Sequence, residues 1–237
     1  MEKCLKNNPK RKIKKLLQKG NELFKRDKIS EAFQTYNQAL NLDENFPETY
    51  LLKGEAHMDM LEMEEAEECM KKYLYFFPKD KKAYLNLIDI YDITTHFNKA
   101  INCCNKLIKI EPTNAELYLK KANLLNISNN IKSALIICNH YLNLKPNSYE
   151  GFCLKGNLLK SLNKNKEALK SYSKAIEINP TKSEAYLEKG LIYRDMENYI
   201  SSLNFCKKAY ELNPKDEWLK AQYNITKSMI VYNLKGN

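Results

Sequence analysis

The chain has 237 residues, of which 43% are hydrophobic and 29% charged, the composition expected of a soluble globular protein. No stretch approaches the roughly 18 consecutive apolar residues of a membrane-spanning helix, and 6 glycines with 7 prolines are too few for an all-β chain full of tight turns. The net charge is +10, but residues 1–19 hold eight basic side chains against the single acid Glu2, so +7 of it is local and the rest of the chain is nearly balanced.

The first segment, MEKCLKNNPKRKIKKLL, has no apolar run of the kind that opens a secretory signal, so none is expected. Residues 1–12 read as a basic extension. PKRKIKK (9–15) looks like a nuclear import signal, but it overlaps the first predicted helix, which favours an exposed basic first turn. Cytoplasmic placement is expected, with the nucleus as the alternative.

From residue 13 onward one period governs the sequence. Pro78, Pro112, Pro146, Pro180 and Pro214 follow one another at 34 residues. Gly20, Gly54, Gly156 and Gly190 share another phase, with Ile88 and Ala122 filling its gaps. Ala32, Ala66, Ala100, Ala134 and Ala168 form a third series, continued by Ser202, and Tyr50, Tyr84, Tyr118, Phe152 and Tyr186 a fourth. Within AYLEKGLIY (185–193), Tyr186, Gly190 and Tyr193 fall at i, i+4 and i+7, one face of a helix. The glycine allows a second helix to come close, the small residue twelve positions later sits on that helix, and the proline ends it. The spacing therefore predicts six antiparallel helix pairs, at 13–46, 47–80, 81–114, 115–148, 149–182 and 183–216. At the third pair, Ile88 is expected to press against Ala100. Residues 217–237 add one more helix and a tail. Its apolar members are Trp218, Leu219, Tyr223, Ile225, Ile230 and Leu234, with Trp218 expected to help cover the last pair. A single pair cannot cover its own apolar face, so stacked pairs and a terminal cap are required.

This pattern resembles the tetratricopeptide repeat, W-x-x-L-G-x-x-Y followed by A-x-x-x-F and P. Tyr replaces the Trp here, and Lys19, Lys53, Lys155 and Lys189 stand where Leu precedes the glycine. The resemblance implies an all-α fold, a right-handed superhelical solenoid of helix pairs with a C-terminal capping helix. It also implies a protein-interaction module rather than an enzyme, without cofactor or metal. No phosphate-binding glycine motif occurs. The seven cysteines, Cys4, Cys69, Cys103, Cys104, Cys138, Cys153 and Cys206, include no C-x-x-C and read as free thiols. Cys104, Cys138 and Cys206 take the place of the second helix's large aromatic and read as core fillers. His57 likewise reads as a packed core histidine.

In the family, the first helices of successive repeats line a concave groove. Carried over by position, this places Leu17, Leu51, Leu85, Leu119 and Cys153 along an apolar stripe. Asn21, Glu55, Asp89, Asn123 and Asn157 lie beside it, joined by Asp92 and Glu116. The implied ligand is a protein or peptide segment, apolar along one edge and basic along the other. The clamp with which some members hold two carboxylates of a chaperone tail would fall on Leu17, Asn21, Leu52, Lys82 and Asn86; two of the five match, which argues against it. A rival reading is a nucleic-acid or anionic-surface binder using the basic N-terminus and the second-helix lysines Lys71, Lys72, Lys106, Lys170, Lys174, Lys207 and Lys208.

Overall fold

The computed structural model describes residues 9–235, with side chains to residue 232. Cys4, Lys3 and Lys6 lie outside the described residues, as does the side chain of Leu234. Thirteen helices and no strand are found among the described residues. They fall into two compact units, 1–112 and 113–237.

The first unit holds α1 (Pro9–Lys25), α2 (Ile29–Leu42), α3 (Pro47–Asp59), α4 (Met63–Phe76), α5 (Lys81–Ile93) and α6 (Phe97–Ile110). These helices pack as α1 on α2, α3 on α4 and α5 on α6, and each pair meets the next through its second helix. The second unit holds α7 (Ala115–Ile127), α8 (Ile131–Leu144), α9 (Tyr149–Ser161), α10 (Asn165–Ile178), α11 (Ser183–Asp195), α12 (Tyr199–Leu212) and α13 (Glu217–Lys235). Its pairs are α7–α8, α9–α10 and α11–α12, and α13 lies against α12. Each unit is an all-α repeat array built as the 34-residue period requires.

The small-residue series is the centre of each pair: Ala32, Ala66, Ala100, Ala134, Ala168 and Ser202 are all fully buried. The glycines show why a side chain is excluded opposite them. A Cβ on Gly20 would stand 2.5 Å from the ring of Tyr36, one on Gly156 2.6 Å from that of Tyr172, and one on Gly54 2.7 Å from Met70 Cε. The residue that closes on the glycine is thus sixteen positions on, four beyond the alanine series. At the third pair this adds a second neighbour to the expected partner of Ile88. By that spacing Cys104 stands opposite it beside Ala100, and Ile88, Ala100 and Cys104 are all fully buried. A large first-helix residue there goes with a small second-helix one, the reverse of Gly156 and Tyr172.

The turn inside each pair repeats one backbone conformation that no residue type marks. Asp27, Leu61, Thr95, Asn129, Asn163 and Glu197, again 34 apart, have φ between 58° and 61°. In each case the following N–H reaches back five residues: Lys28 to the carbonyl of Leu23 at 3.0 Å, His96 to Tyr91 at 2.7 Å, Lys164 to Leu159 at 2.9 Å. This is the Schellman ending, in which a left-handed residue lets the orphan carbonyls of the helix find donors. Between pairs, Asp80, Asn114 and Ser148 cap α5, α7 and α9 by accepting from Ala83, Glu116 and Gly151 N–H groups.

The last helix covers the sixth pair, but not with Trp218. Leu219, Gln222 and Thr226 are buried, and Tyr223 stacks on Tyr210 with centroids 6.0 Å apart. Arg194 Nη1 donates to Gln222 Oε1 at 2.8 Å. Trp218 is 61% exposed, because it sits about 100° around the helix from Leu219.

Candidate functional site on the first helices

Positions five and nine of each repeat are one helical turn apart, so they share a face of the first helix. The structure grades these side chains rather than presenting them uniformly. Leu17 and Cys153 are buried, Leu51 and Leu119 half-buried, and Leu85 exposed. Asn21, Glu55, Asp89 and Asn157 are half-buried, while Asp92, Glu116 and Asn123 are exposed.

In the first unit, a recess between α1 and α3 brings Asn21 and Glu55 together with Phe24, Lys25, Tyr36, Leu52, Ala56 and Asp59. Tyr36 Oη donates to Asn21 Oδ1 at 2.6 Å. Burial, with Glu55 nearby, pushes the Tyr36 phenol up to about 12, so it remains a donor. The Asn21 carbonyl is thereby used internally, and its NH2 group is the part left to meet an acceptor. Glu55 pairs with Lys82 at 2.5 Å and accepts from Asn86 Nδ2 at 3.4 Å, linking α3 to α5.

In the second unit, Glu116 and Leu119 line another recess with Tyr141, Ser148, Glu150 and the turn Lys145–Asn147. Glu116 pairs with Lys145. Glu150 pairs with Lys182 at 2.8 Å, and that hydrogen bond holds its carboxyl below the usual range. Lys160 reaches Glu188 at 2.9 Å. Asn157 Oδ1 accepts from Tyr172 Oη, repeating the arrangement at Asn21. Four of the acids on the first helices therefore meet a lysine 27 to 32 residues away, Glu55 and Glu188 one on an adjacent pair and Glu116 and Glu150 one near the end of their own repeat, a neutralisation that this spacing of opposite charges could have revealed.

The second-helix lysines are also engaged. Lys71 pairs with Glu67, Lys72 with Glu68, Lys174 with Glu177, and Lys207 and Lys208 with Glu211. Lys106 lies 5.3 Å over the ring of Tyr84. No group of residues suited to a metal ion occurs among the described residues, and none of their helices is long and apolar enough to cross a membrane.

Two family models match the chain. One, described as a TPR repeat, matches residues 20–60 and 156–196; the other, described as a tetratricopeptide repeat, matches 47–80, 81–114 and 183–216. Together they span 20–114 and 156–216, and the ranges of the second coincide with three of the 34-residue helix pairs. The chain belongs to the tetratricopeptide repeat family. Solved structures of similar fold include MamA, at 23% identity and a TM-score of 0.64 over 75% of this chain and 94% of that one. YrrB, described as a TPR protein with an unusual peptide-binding site, aligns at 21% identity and a TM-score of 0.63 over 81% and 97%. MamA 41-end from Desulfovibrio magneticus RS-1 aligns at 15% and 0.65 over 72% and 96%. No curated protein matches the sequence.

Within the tetratricopeptide frame, the residues that first suggest chemistry are structural. Cys69, Cys103, Cys104, Cys138, Cys153 and Cys206 are buried and joined in no disulfide. Burial pushes the Cys138 thiol up to about 11 and that of Cys153 to about 12, the opposite of an activated nucleophile. His57 is buried against Phe33, with ring centroids 4.5 Å apart, and its Nδ1 meets Glu62 Oε2 at 2.6 Å.

Proposed function

We propose that the chain is a non-catalytic interaction module or scaffold whose first helices bind a peptide segment carrying basic residues beside apolar anchors. The recess on the first unit supports this reading most. It joins an apolar wall of Phe24 and Leu52 to Glu55 and Asp59 and to the spare NH2 of Asn21. Leu85 and Asp92 extend the same chemistry onto α5. In the second unit the corresponding contacts are Glu116, Leu119, Asn123 and Asn157, while the buried Leu17 and Cys153 would support their helices from beneath. The peptide-binding site named for the similar YrrB is consistent with this use of the fold.

A chaperone-tail clamp is disfavoured. Lys82, one of its two matching residues, is already paired with Glu55. The polyanion alternative is weakened in the same way, since the second-helix lysines Lys71, Lys72, Lys174, Lys207 and Lys208 have carboxylate partners. Such exposed pairs are individually weak, about 0–1 kcal/mol, but the nearby carboxylates reduce the field an anion would feel.

The test uses a peptide selected from a random display library and the full chain. Glu55→Lys with Asp59→Lys and Glu116→Lys should slow association of a basic client and reduce its salt dependence, weakening binding by up to about a hundredfold if each pair contributes about 0–1 kcal/mol. Lys71→Glu with Lys72→Glu and Lys106→Glu should change little. Loss of the client by the second variant and retention by the first would overturn the reading. Binding of arbitrary oligonucleotide with a steep salt slope would favour the alternative.

A further inference from the structure

The recess between α1 and α3 encloses about 240 Å³, room for one long side chain and less than the ~300–1,000 Å³ of pockets that take a whole small ligand. Its polar groups are of a particular kind. Glu55 meets both Lys82 and Asn86 through Oε1, so its Oε2 remains for another donor. Asp59, one turn further along the same face of α3, makes no hydrogen bond or ion pair among the described residues. The half-buried ring of Phe24 supplies the α1 wall. Asn21 offers its NH2 group, because Tyr36 occupies its carbonyl. The recess of the second unit differs. Both carboxylate oxygens of Glu150 are engaged there, by Lys182 and Ser148, and Glu116 is paired with Lys145.

We infer that the α1–α3 recess is an arginine subsite, taking the guanidinium of one arginine in a bound peptide. This rests on the reading of the first helices as the ligand surface and names the side chain that the surface selects. Charge selects a cation: two carboxylates against the single ammonium of Lys25 leave the recess net negative. Shape selects the guanidinium. It is planar and carries five N–H donors, so its edge can serve Glu55 Oε2 and Asp59 together while its face lies on the Phe24 ring. A lysine ammonium is a compact, strongly hydrated charge that cannot do both. The Asn21 NH2 group is a donor and has nothing to give a cation; it suits a carbonyl, and the backbone of the same arginine supplies one. That call for a carbonyl beside the cation favours a peptide over a free guanidinium compound. Lys25 opposes any cation, so it limits affinity without deciding between arginine and lysine.

The experiment titrates the full chain with the tripeptide Ala-Arg-Ala, acetylated and amidated at its ends, and with its lysine and citrulline counterparts. Binding is read by NMR at the Asn21 side-chain amide and the ring protons of Phe24 and Tyr36. The arginine peptide should saturate, the lysine peptide should bind at least about tenfold more weakly, and the uncharged citrulline peptide should not bind. Asp59→Asn, on an exposed side chain without a partner, should weaken the arginine peptide about fivefold and narrow its lead over lysine. Lys25→Ala should tighten it about twofold to fivefold. Equal binding of the lysine peptide overturns the proposal and leaves the basic-peptide reading standing. Equal binding of N-propylguanidinium overturns it in favour of a free guanidinium compound. Shifts that fall outside the recess, that Asp59→Asn does not reduce, or that Lys25→Ala abolishes overturn it as well. So does the absence of saturable binding by all three peptides, whereas the first-helix reading falls only if the display-selected peptide is also indifferent to Glu55→Lys with Asp59→Lys and Glu116→Lys.

Discussion

Adding one methyl group at Gly156 tests the packing rule that sets the repeat. In an exposed helix interior, Gly→Ala stabilises by about 0.8–1.0 kcal/mol. Here the new Cβ would lie 2.6 Å from both Cε1 and Cζ of Tyr172 and 2.9 Å from its Cδ1. The ring cannot swing aside, because Tyr172 is fully buried and its hydroxyl is held by Asn157 at 2.5 Å. Overpacking of this kind costs about 1–3 kcal/mol. The clash wins, and Gly156→Ala should destabilise by about 1 kcal/mol net of the propensity gain. Tyr172→Cys alone leaves a cavity and should cost about 3–5 kcal/mol, the range for loss of a buried aromatic. The double variant recreates the pair Ala122 and Cys138 of the fourth repeat, both fully buried. It should therefore cost less than the sum by at least about 1 kcal/mol of coupling. Urea unfolding followed by circular dichroism gives the global values. Amide exchange of α9 and α10 gives the local ones, which matter because long repeat arrays depart from two-state behaviour. Stabilisation by Gly156→Ala, or additivity of the two changes, would refute the reasoning.

Three further outcomes are expected. Thr95 is β-branched and held at φ 59°, so Thr95→Asn, which installs the residue found at 129 and 163, should raise stability by about 0.5–1 kcal/mol in urea unfolding. Thr49 Oγ1 is buried without a hydrogen-bond partner, so Thr49→Val should stabilise by about 1 kcal/mol, the lower end of the cost of an unsatisfied buried group, read by calorimetry. Burial of its carboxylate and the neighbouring Glu188 hold Glu184 above the usual carboxylate range. A raised folded-state pKa gives stability that is present at low pH and lost as pH rises through it, so Glu184→Gln should raise the melting temperature at pH 7 and have little effect at pH 4.

What was legible in the sequence was whatever the period writes into side chains. The alanines had to be small because two helix axes meet there, and the prolines had to end second helices. Both series announce the phase, and helix positions follow from it within a few residues. The αL turn was hidden, since Leu61, Thr95 and Glu197 share no side-chain property and only Asp27, Asn129 and Asn163 hint at positive φ. There the backbone bonds of the Schellman ending dictate the conformation and override residue preference. Ile88 was legible as a break in the glycine series, but the small residue at 104 that accompanies it was not, because the glycines close most tightly on the residue sixteen positions on. At the candidate site, the acids on the first helices were visible. Their lysine partners on neighbouring pairs, Glu55 with Lys82 and Glu188 with Lys160, depend on how one pair stacks on the next. Trp218 shows the same limit: a helix with apolar residues on two adjoining faces does not declare from its sequence which face the array takes.

The central claim is that ligands are read by the first helices. It is tested most directly by a display-selected basic peptide carrying a photo-crosslinker at its apolar anchor, irradiated with the full chain and mapped by mass spectrometry. Attachment to α1, α3 and α5, around Phe24, Leu52 and Leu85, is the predicted result. Attachment confined to the second helices, around Lys72, Lys106 or Lys174, would contradict it.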